Sequence, residues 1–313
     1  MPAGRVLGVI VIALAAAVLF NSEALVRAGE GMQPGTTRDI VLSLGRPLDD
    51  AAGAIGLHLP REGLDRAFGQ EDKTEEGTKL ERGSNAILRP RTERQTFRQP
   101  TASNPLQVLV TGDSQAEFIG QRLIDQSPRG LLDVQTVARN GTGLTNPAFF
   151  NWEVNARQEV AARDLDAVVM AIGGNDGFNV QTSDGSLYNP GDPGWETEFA
   201  RRVAVVSSVL SGDGARPVYW VPPPTARDPE FNRIFASQNR AVERATEGVP
   251  ALRYVDIYST LNRGRYSEEL RIDGRRVLAR QPDGIHFTRE GAVAAARLIL
   301  DSMAKDFPIL SGR

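Results

Sequence analysis

Three polar residues, Ser114, Asp283 and His286, have the types and the spacing expected of an acyl-transfer site. A serine hydroxyl near neutral pH needs a base to take its proton, and histidine is the side chain whose ordinary pKa suits that work. Asp283 stands three residues before His286, so its carboxylate can reach one ring nitrogen while the other faces outward. The sequence therefore predicts Ser114 as the nucleophile, His286 as the general base and Asp283 as the residue that orients the base.

The oxyanion of a tetrahedral intermediate also needs hydrogen-bond donors. The candidates are the backbone N–H groups of Ser114 and Gly143 and the side-chain amide of Asn175. Gly143 has no Cβ to obstruct the approach of a substrate to the backbone. Gly141 is an alternative to Gly143, because the spacing does not separate the two glycines.

Ser114 follows an apolar, β-branched run, Leu106–Gly112, and precedes a helix-like segment, Gln115–Ile124. The serine is therefore predicted at the carboxyl end of a strand, where backbone N–H groups of a new helix point at whatever binds beside it. Taken alone, this pattern favours a serine that caps a helix. Further polar loops with glycine are predicted at the same edge of the sheet, and together they favour an active site. These loops are Arg139–Leu144, Gly173–Gly177 and Asp283–Thr288.

Strand and helix signals alternate along the chain from Leu106 onward. Strands are predicted at Gln107–Thr111, Val134–Ala138, Ala167–Ile172, Pro217–Val221 and Leu252–Ile257. Helices are predicted at Ala116–Asp125, Pro147–Asp164, Trp195–Leu210, Pro229–Thr246 and Arg289–Ala304. This alternation predicts an α/β fold with a mostly parallel sheet, helices on both faces and ligands at the carboxyl ends of the strands. The order of the strands is not readable, and a small hairpin is predicted at Leu270–Leu278.

The blocks that carry these residues resemble, in their order, the motifs of the SGNH (GDSL-type) hydrolase family. They are Gly112-Asp113-Ser114, Gly143, Gly173-Gly174-Asn175-Asp176 and Asp283-Gly284-Ile285-His286. The resemblance covers about Leu106 to Phe307 and implies a three-layer α/β/α sandwich with a flavodoxin-like sheet. It also implies a triad of Ser114, His286 and Asp283 and an oxyanion hole of Ser114, Gly143 and Asn175. The chain looks like a bacterial cell-envelope branch of that family, whose substrates are mostly unassigned.

Composition excludes several other classes of protein. The chain has 313 residues, a net charge of -3 and no basic patch interleaved with aromatic residues, so no nucleic-acid partner is predicted. It has no cysteine, which removes disulfides, thiol nucleophiles and thiolate metal sites. With only two histidines, His58 and His286, a metal centre built on several histidines is disfavoured. A site made of carboxylates alone stays open as an alternative, and no metal or cofactor is predicted.

The first 28 residues are predicted to be a signal peptide or a signal anchor. An unbroken apolar and small-residue run, Val6–Phe20, follows Arg5 and has the length of a signal h-region. Val26-Arg27-Ala28 offers an imperfect cleavage site, so cleavage and retention are both open. The rest of the chain is expected in the periplasm or otherwise outside the cytoplasm, with residues 6–20 holding it to the inner membrane if they are retained.

Residues 29–69 are predicted to form a membrane-proximal helical region of two or three short helices, broken by Pro47 and Pro60. His58 lies there and is expected to pack or to face solvent. Residues 70–104 are predicted to be a disordered linker, because aliphatic residues almost vanish and charged residues dominate. Its arginines 91, 94 and 98 suit a solvated linker, with contact to an anionic glycan or lipid as the alternative. The hydrolase domain is predicted at residues 105–313.

These expectations combine into a secreted or membrane-tethered serine esterase that hydrolyses O-acyl or O-acetyl esters. The resemblance and the predicted export indicate an acylated carbohydrate, either an envelope polysaccharide or peptidoglycan, as the substrate. An O-acetyltransferase would use the same acyl-enzyme and pass the acyl group to a sugar hydroxyl. A non-catalytic envelope-binding protein on the same fold is a further alternative. Aromatic residues near the loops are interpreted as core or as pocket lining: Phe149, Phe150, Trp152, Tyr188 and Trp195.

Overall fold

The computed structural model of the chain describes residues 36–54, 96–182 and 185–311, together with Ser22, Leu25, Val26 and Gly29. The predicted signal segment at residues 6–20, His58 and the predicted linker up to residue 95 lie outside the described residues. The chain divides into a unit of residues 1–79 and a unit of residues 80–313. Among the helices described, none combines the length and the apolar character that crossing a membrane requires.

In the first unit, the described residues include one long helix, α1, Thr36–Ala54. The prediction that Pro47 breaks this region into shorter helices is wrong, because α1 continues through Pro47. A proline inside a helix removes one backbone donor and crowds the preceding turn, which can kink a helix without ending it.

The second unit is built on a five-stranded parallel sheet. Its strands are β1 Leu106–Gly112, β2 Leu132–Ala138, β3 Ala167–Ala171, β6 Val218–Val221 and β7 Leu252–Tyr254. Their order in the sheet is β2-β1-β3-β6-β7. Two antiparallel pairs stand outside it, β4 Val180–Gln181 with β5 Leu187–Tyr188, and β8 Glu269–Ile272 with β9 Arg275–Leu278. The last pair is the predicted hairpin, and its turn residues Asp273 and Gly274 both have positive φ.

Helices pack on both faces of this sheet. They are α2 Ile119–Gln126, α3 Trp152–Ala161, α4 Pro193–Ser211, α5 Pro229–Ala245 and α6 Gly291–Met303. Successive side chains of a strand face opposite sides of the sheet. Val108 and Val110 therefore join the core with α2 and α6, whereas Leu109 joins the core with α3, α4 and α5. The predicted three-layer α/β architecture is confirmed.

Three helices begin later than predicted, and for α2 and α3, which begin three and five residues late, the reason is local. Ser114–Ala116 form a 3-10 turn, so α2 starts only at Ile119. Asn151 caps α3 by accepting hydrogen bonds from the Glu153 and Val154 amides, and the helix therefore starts at Trp152. Both differences lie next to the loops at the carboxyl edge of the sheet.

The segment from residue 96 to 104, which the sequence assigns to the linker, contacts the α/β unit. The Arg98 guanidinium donates to the Asp166 carboxylate and to the Asn104 and Pro105 carbonyls. The Phe97 and Phe307 rings lie 6.1 Å apart. Arg98 is therefore bound within its own protein, and the described part of the α/β unit begins before residue 105.

Candidate active site

Ser114 stands directly after β1, and the backbone there requires glycine. Gly112 has a φ of 142°, and a Cβ at this position would lie 1.8 Å from the Ala171 carbonyl oxygen of the neighbouring strand. No other residue type tolerates that approach. The chain then turns sharply, and Ser114, which is partly exposed, opens the 3-10 turn above the end of the sheet.

The three residues predicted for the triad lie in one hydrogen-bonded row. Ser114 Oγ and His286 Nε2 are 2.7 Å apart, although 172 residues separate them in the sequence. On the other side of the ring, His286 Nδ1 and Asp283 Oδ2 are 2.6 Å apart. A carboxylate accepts only, so Nδ1 carries a hydrogen towards Asp283, which leaves Nε2 of the neutral ring to accept from the serine hydroxyl.

Asp283 is fixed by its own loop. Its Oδ1 accepts hydrogen bonds from the Ile285 amide at 2.8 Å and the His286 amide at 3.0 Å. Burial alone would raise the pKa of Asp283, but the Ile285 amide and His286 outweigh it and hold the pKa below the usual range of an aspartate. The carboxylate is therefore ionised at neutral pH and orients the imidazole.

The loops of Gly143 and Asn175, the predicted oxyanion donors, are joined to each other. Asn175 Nδ2 donates to the Thr142 carbonyl at 3.1 Å. Gly143 lies against the Asp176 carboxyl, and a Cβ on residue 143 would be 2.6 Å from Asp176 Oδ1. Glycine is thus needed at this position for packing inside the protein. The assignment of Ser114, Gly143 and Asn175 as donors, with Gly141 as the alternative, stays a prediction.

Asp113 is a site residue to which the sequence assigned no role. It is fully buried, and its Oδ2 accepts from the Gly173 amide at 3.0 Å and the Gly174 amide at 2.8 Å. Its Oδ1 accepts from the Gln115 amide at 2.8 Å. Burial raises the pKa of Asp113 despite these amide donors. One carboxyl group therefore joins the turn Ser114–Ala116, the serine turn, to the loop Gly173–Gly177, the asparagine loop. In the sequence, only its place beside Ser114 in the Gly-Asp-Ser triplet indicated such a role.

Asp176 forms a second buried link between loops. Its Oδ1 accepts from the Thr145 amide at 2.7 Å and the Thr145 hydroxyl at 2.9 Å. Burial raises the pKa of Asp176 to about 7, against the opposing effect of those bonds. Its Oδ2 is buried and has no hydrogen-bond partner within the described residues. This carboxyl group therefore binds the residue that follows the loop Arg139–Leu144. The charge of the carboxyl group changes near neutral pH.

Arg280 is a buried residue that binds the loop Asp283–Thr288, the histidine loop. No sequence pattern indicated this role. Its side chain is buried, and it donates to the Ile285 carbonyl at 2.8 Å and the Thr225 carbonyl at 3.0 Å. The guanidinium carbon also lies 4.5 Å from the centre of the Phe287 ring. Burial lowers the pKa of Arg280 to about 10, so the side chain remains charged at neutral pH.

Two of the aromatic residues considered for a pocket belong to the core. Trp152 is buried and donates to the Thr142 hydroxyl at 3.1 Å. Trp195 is fully buried, stacks on Phe199 and donates to the Phe178 carbonyl. Phe149, by contrast, is 38% exposed beside these loops. The tryptophans support the site from inside.

A family model described as "Protein of unknown function (DUF459)" matches residues 107–302 of the chain. No curated protein sequence matches it. Among solved structures, the acetyl xylan esterase AlAXEase is 14% identical, with 63% of this chain and 98% of that one covered and a TM-score of 0.43. An acetylxylan esterase from Geobacillus stearothermophilus is 16% identical, covers 66% and 97%, and has a TM-score of 0.42. The catalytic domain of Streptococcus pneumoniae peptidoglycan O-acetyltransferase A is 12% identical, covers 64% and 94%, and has a TM-score of 0.40.

Proposed function

We propose that this chain, which belongs to the family described as a protein of unknown function, DUF459, is an exported serine hydrolase that cleaves O-acyl esters. The observation that carries the proposal is the hydrogen-bonded row from Ser114 Oγ through the His286 ring to Asp283. Hydroxyl, imidazole and carboxylate in this order activate a serine for attack on a carbonyl carbon. The resemblance to SGNH hydrolases seen in the sequence implies the same chemistry.

In the first half of the reaction, Ser114 Oγ attacks the ester carbonyl as its proton passes to His286 Nε2. The imidazolium that results is stabilised by the ionised Asp283 carboxylate. His286 then gives the proton to the leaving alcohol, and the acyl group remains on Ser114. In the second half, water attacks this acyl-enzyme with His286 again acting as base, which releases the acid and restores the serine.

The donors proposed for the oxyanion are the Ser114 and Gly143 amides and the Asn175 side chain. Their value depends on being fixed before the charge develops. The buried Asp113 and Asp176 carboxyl groups and the bond from Asn175 to Thr142 support such a fixed arrangement. Removal of one donor of this kind lowers kcat by roughly 10²–10³-fold.

The proposed substrate is an O-acetyl ester on an envelope polysaccharide or on peptidoglycan. It rests on the family resemblance and on the export signal predicted at residues 1–28. The proposed location is the periplasm or another extracytoplasmic compartment, with residues 6–20 as a membrane anchor if they are retained. The substrate is expected to meet the protein on the outer side of the inner membrane.

The proposal is tested by hydrolysis of p-nitrophenyl acetate with the purified full-length chain. The wild type is expected to turn over the ester, and kcat of Ser114→Ala is expected to be lower by at least about 10³-fold. Ser127→Ala is the matched control, because Ser127 follows α2 and its hydroxyl bonds, among the described residues, only to the Ile124 carbonyl. Undiminished hydrolysis by Ser114→Ala would refute the serine mechanism.

Addition of a sugar with free hydroxyl groups to the same assay separates hydrolysis from transfer. A hydrolase releases acetate at the rate at which p-nitrophenol appears, whether or not the sugar is present. If acetylated sugar forms in preference to free acetate, the protein is an O-acetyltransferase. If no ester is turned over and no acetylated sugar forms, the chain is better described as an envelope-binding protein.

A further inference from the structure

A groove of about 460 Å³ lies between the β8–β9 hairpin, helix α2 and the start of helix α6. The charged residues that line it come from all three of these regions and carry a positive excess. They are Arg122, Arg275, Arg289, Arg297, Asp273 and Glu290. The whole chain, by contrast, has a net charge of -3. A concave surface of this sign on a negatively charged protein concentrates anions.

Two of the four arginines are already bound within the protein. Arg297 forms a pair of hydrogen bonds with Asp273, at 2.8 and 2.9 Å. Arg122 forms an ion pair with Asp125 at 3.0 Å. Arg275 and Arg289 form no ion pair with any carboxylate in the part of the chain that the structure describes. Arg275 is close enough to Asp273 to interact with it electrostatically, and Arg289 lies over the Phe118 ring, but no described carboxylate is within ion-pair distance of either guanidinium group.

On the β8–β9 hairpin, Arg275 faces the groove and Arg276 faces away from it. Neighbouring residues of a strand face opposite sides. Arg275 and Val277 line the groove, as does Ile272, the cross-strand partner of Arg275. Arg276 is not among the lining residues and forms an ion pair with Glu269. Arg276 is thus a natural control for Arg275, with the same charge on the same strand.

Short stretches of chain link the groove to the reacting groups. Arg289 follows His286 by three residues, a span of at most about 11 Å. Its guanidinium carbon lies 5.8 Å from the centre of the Phe118 ring, and Phe118 follows Ser114 by four residues, at most about 14 Å. A polymer bound with its ester at Ser114 would therefore reach the groove within a few sugar units.

We propose that the groove binds a carboxylate, sulfate or phosphate group carried by the same polysaccharide whose acyl ester is cleaved at Ser114. The inference rests on the proposed function and deepens it, because it makes the substrate an acidic polysaccharide. A planar guanidinium can hold any of these anions through two parallel hydrogen bonds. A concave groove beside the nucleophile suits a polymer strand better than it suits the flat surface of a membrane.

The catalytic test compares an acidic with a neutral polymer. The full-length wild type, Arg275→Ala, Arg289→Ala, the double variant and the control Arg276→Ala are assayed on acetylated polygalacturonate, acetylated xylan and p-nitrophenyl acetate. Each groove substitution is expected to raise KM for the acidic polymer by about tenfold, since a charge-assisted hydrogen bond is lost. KM for acetylated xylan and kcat/KM for p-nitrophenyl acetate are expected to stay within about twofold of wild type. An equal rise of KM on both polymers, or the same rise in Arg276→Ala, would overturn the proposal.

A binding test keeps this inference separate from the proposed function. Ser114→Ala, with and without the two groove substitutions, is titrated calorimetrically with oligogalacturonate, dextran sulfate and polyphosphate. Binding of at least one of them, weakened about tenfold by each groove substitution and unaffected by Arg276→Ala, supports the groove even if no ester is hydrolysed. Binding of none of the three overturns it. Arginine-dependent binding to anionic phospholipid vesicles, without binding to any of these polymers, would identify a membrane-docking surface in its place.

Discussion

Asp113 and Asp283 both accept hydrogen bonds from backbone amides of the site, but they lie in very different surroundings. Asp113 is fully buried between the serine turn and the Gly173–Asn175 loop, whereas 39% of the Asp283 side chain is exposed. Burial dominates at Asp113 and raises its pKa, and hydrogen bonds dominate at Asp283 and lower its pKa. The site therefore has a buried half, anchored by Asp113 behind the serine, and a more exposed half, anchored by Asp283 beside the histidine.

This difference separates stability from catalysis. In the buried half, a lost acceptor leaves several amide groups without hydrogen bonds in the interior, so stability and activity should fall together. In the exposed half, water can replace a lost partner, so activity should fall while the fold remains. Arg280 is the exception that joins the two properties, because it is buried yet positions the exposed loop.

The largest effect on activity without loss of stability is expected for His286→Gln. This substitution removes the base but keeps a side chain of similar size, so kcat should fall by at least about 10³-fold. The melting temperature should stay within about 3 °C of wild type, because the loop is at the surface. Ester hydrolysis and thermal unfolding of the same preparations check this. If both fall together, the histidine is structural and the contrast between the halves is wrong.

Asp113→Ala should reduce both the stability and the activity of the protein. Three backbone amides, those of Gln115, Gly173 and Gly174, lose a buried acceptor, which should lower the free energy of unfolding by about 3 kcal/mol or more. The displaced asparagine loop should also reduce kcat by about 10²-fold in whatever fraction remains folded. Denaturant unfolding and kcat measured at low temperature check the two effects. Asp133→Ala, at an exposed position of β2, is the control, and an equal loss there would remove Asp113 from this role.

Arg280→Met tests the link between the halves. Loss of the donors to the Ile285 and Thr225 carbonyls should let the histidine loop move, and kcat should fall by about tenfold. KM for a small ester should change by less than about threefold, since the Arg280 side chain is buried and is not expected to contact the substrate. Arg280→Lys keeps one charged donor and should recover part of kcat. Loss of stability in both variants with an unchanged kcat would show that Arg280 only supports the core.

The effect expected for Asp176→Asn is on stability, and it depends on pH. The folded-state pKa of Asp176 is raised to about 7, so its contribution to stability is complete below the pKa of the unfolded chain and is lost as pH rises towards 7. The asparagine cannot ionise. Relative to wild type, Asp176→Asn should therefore gain about 1–3 kcal/mol of unfolding free energy between pH 4 and pH 8. Urea unfolding across this range checks the gain, with Asp133→Asn as the exposed control. A difference that does not change with pH would contradict the raised pKa.

The sequence revealed the fold and the exposed half of the site better than the buried half. The alternation of apolar runs and helical segments located the five parallel strands, and the Asp-Gly turn located the hairpin. Asp283 and His286 were predictable because a carboxylate three residues from a histidine is a local pattern. Strand order was not predictable, since nothing local to a strand identifies its neighbour.

The roles of Asp113 and Arg280 depend on contacts between distant parts of the chain. Asp113 Oδ2 and the Gly174 amide are 61 residues apart, and Arg280 and Thr225 are 55 residues apart. A buried aspartate or arginine has no periodic pattern that distinguishes it from a solvated one. The sequence did not predict that α1 continues through Pro47, for a different reason. A proline usually indicates the end of a helix, but a helix can also continue through it.

Covalent labelling of the serine tests the central claim most directly. The full-length wild type is incubated with a fluorophosphonate, which reacts with a serine activated by a neighbouring base, and the labelled peptide is identified by mass spectrometry. The account predicts a single adduct on Ser114 that forms much more slowly in His286→Gln and does not form in Ser114→Ala. An adduct on another residue, or no adduct on the folded wild type, would contradict it.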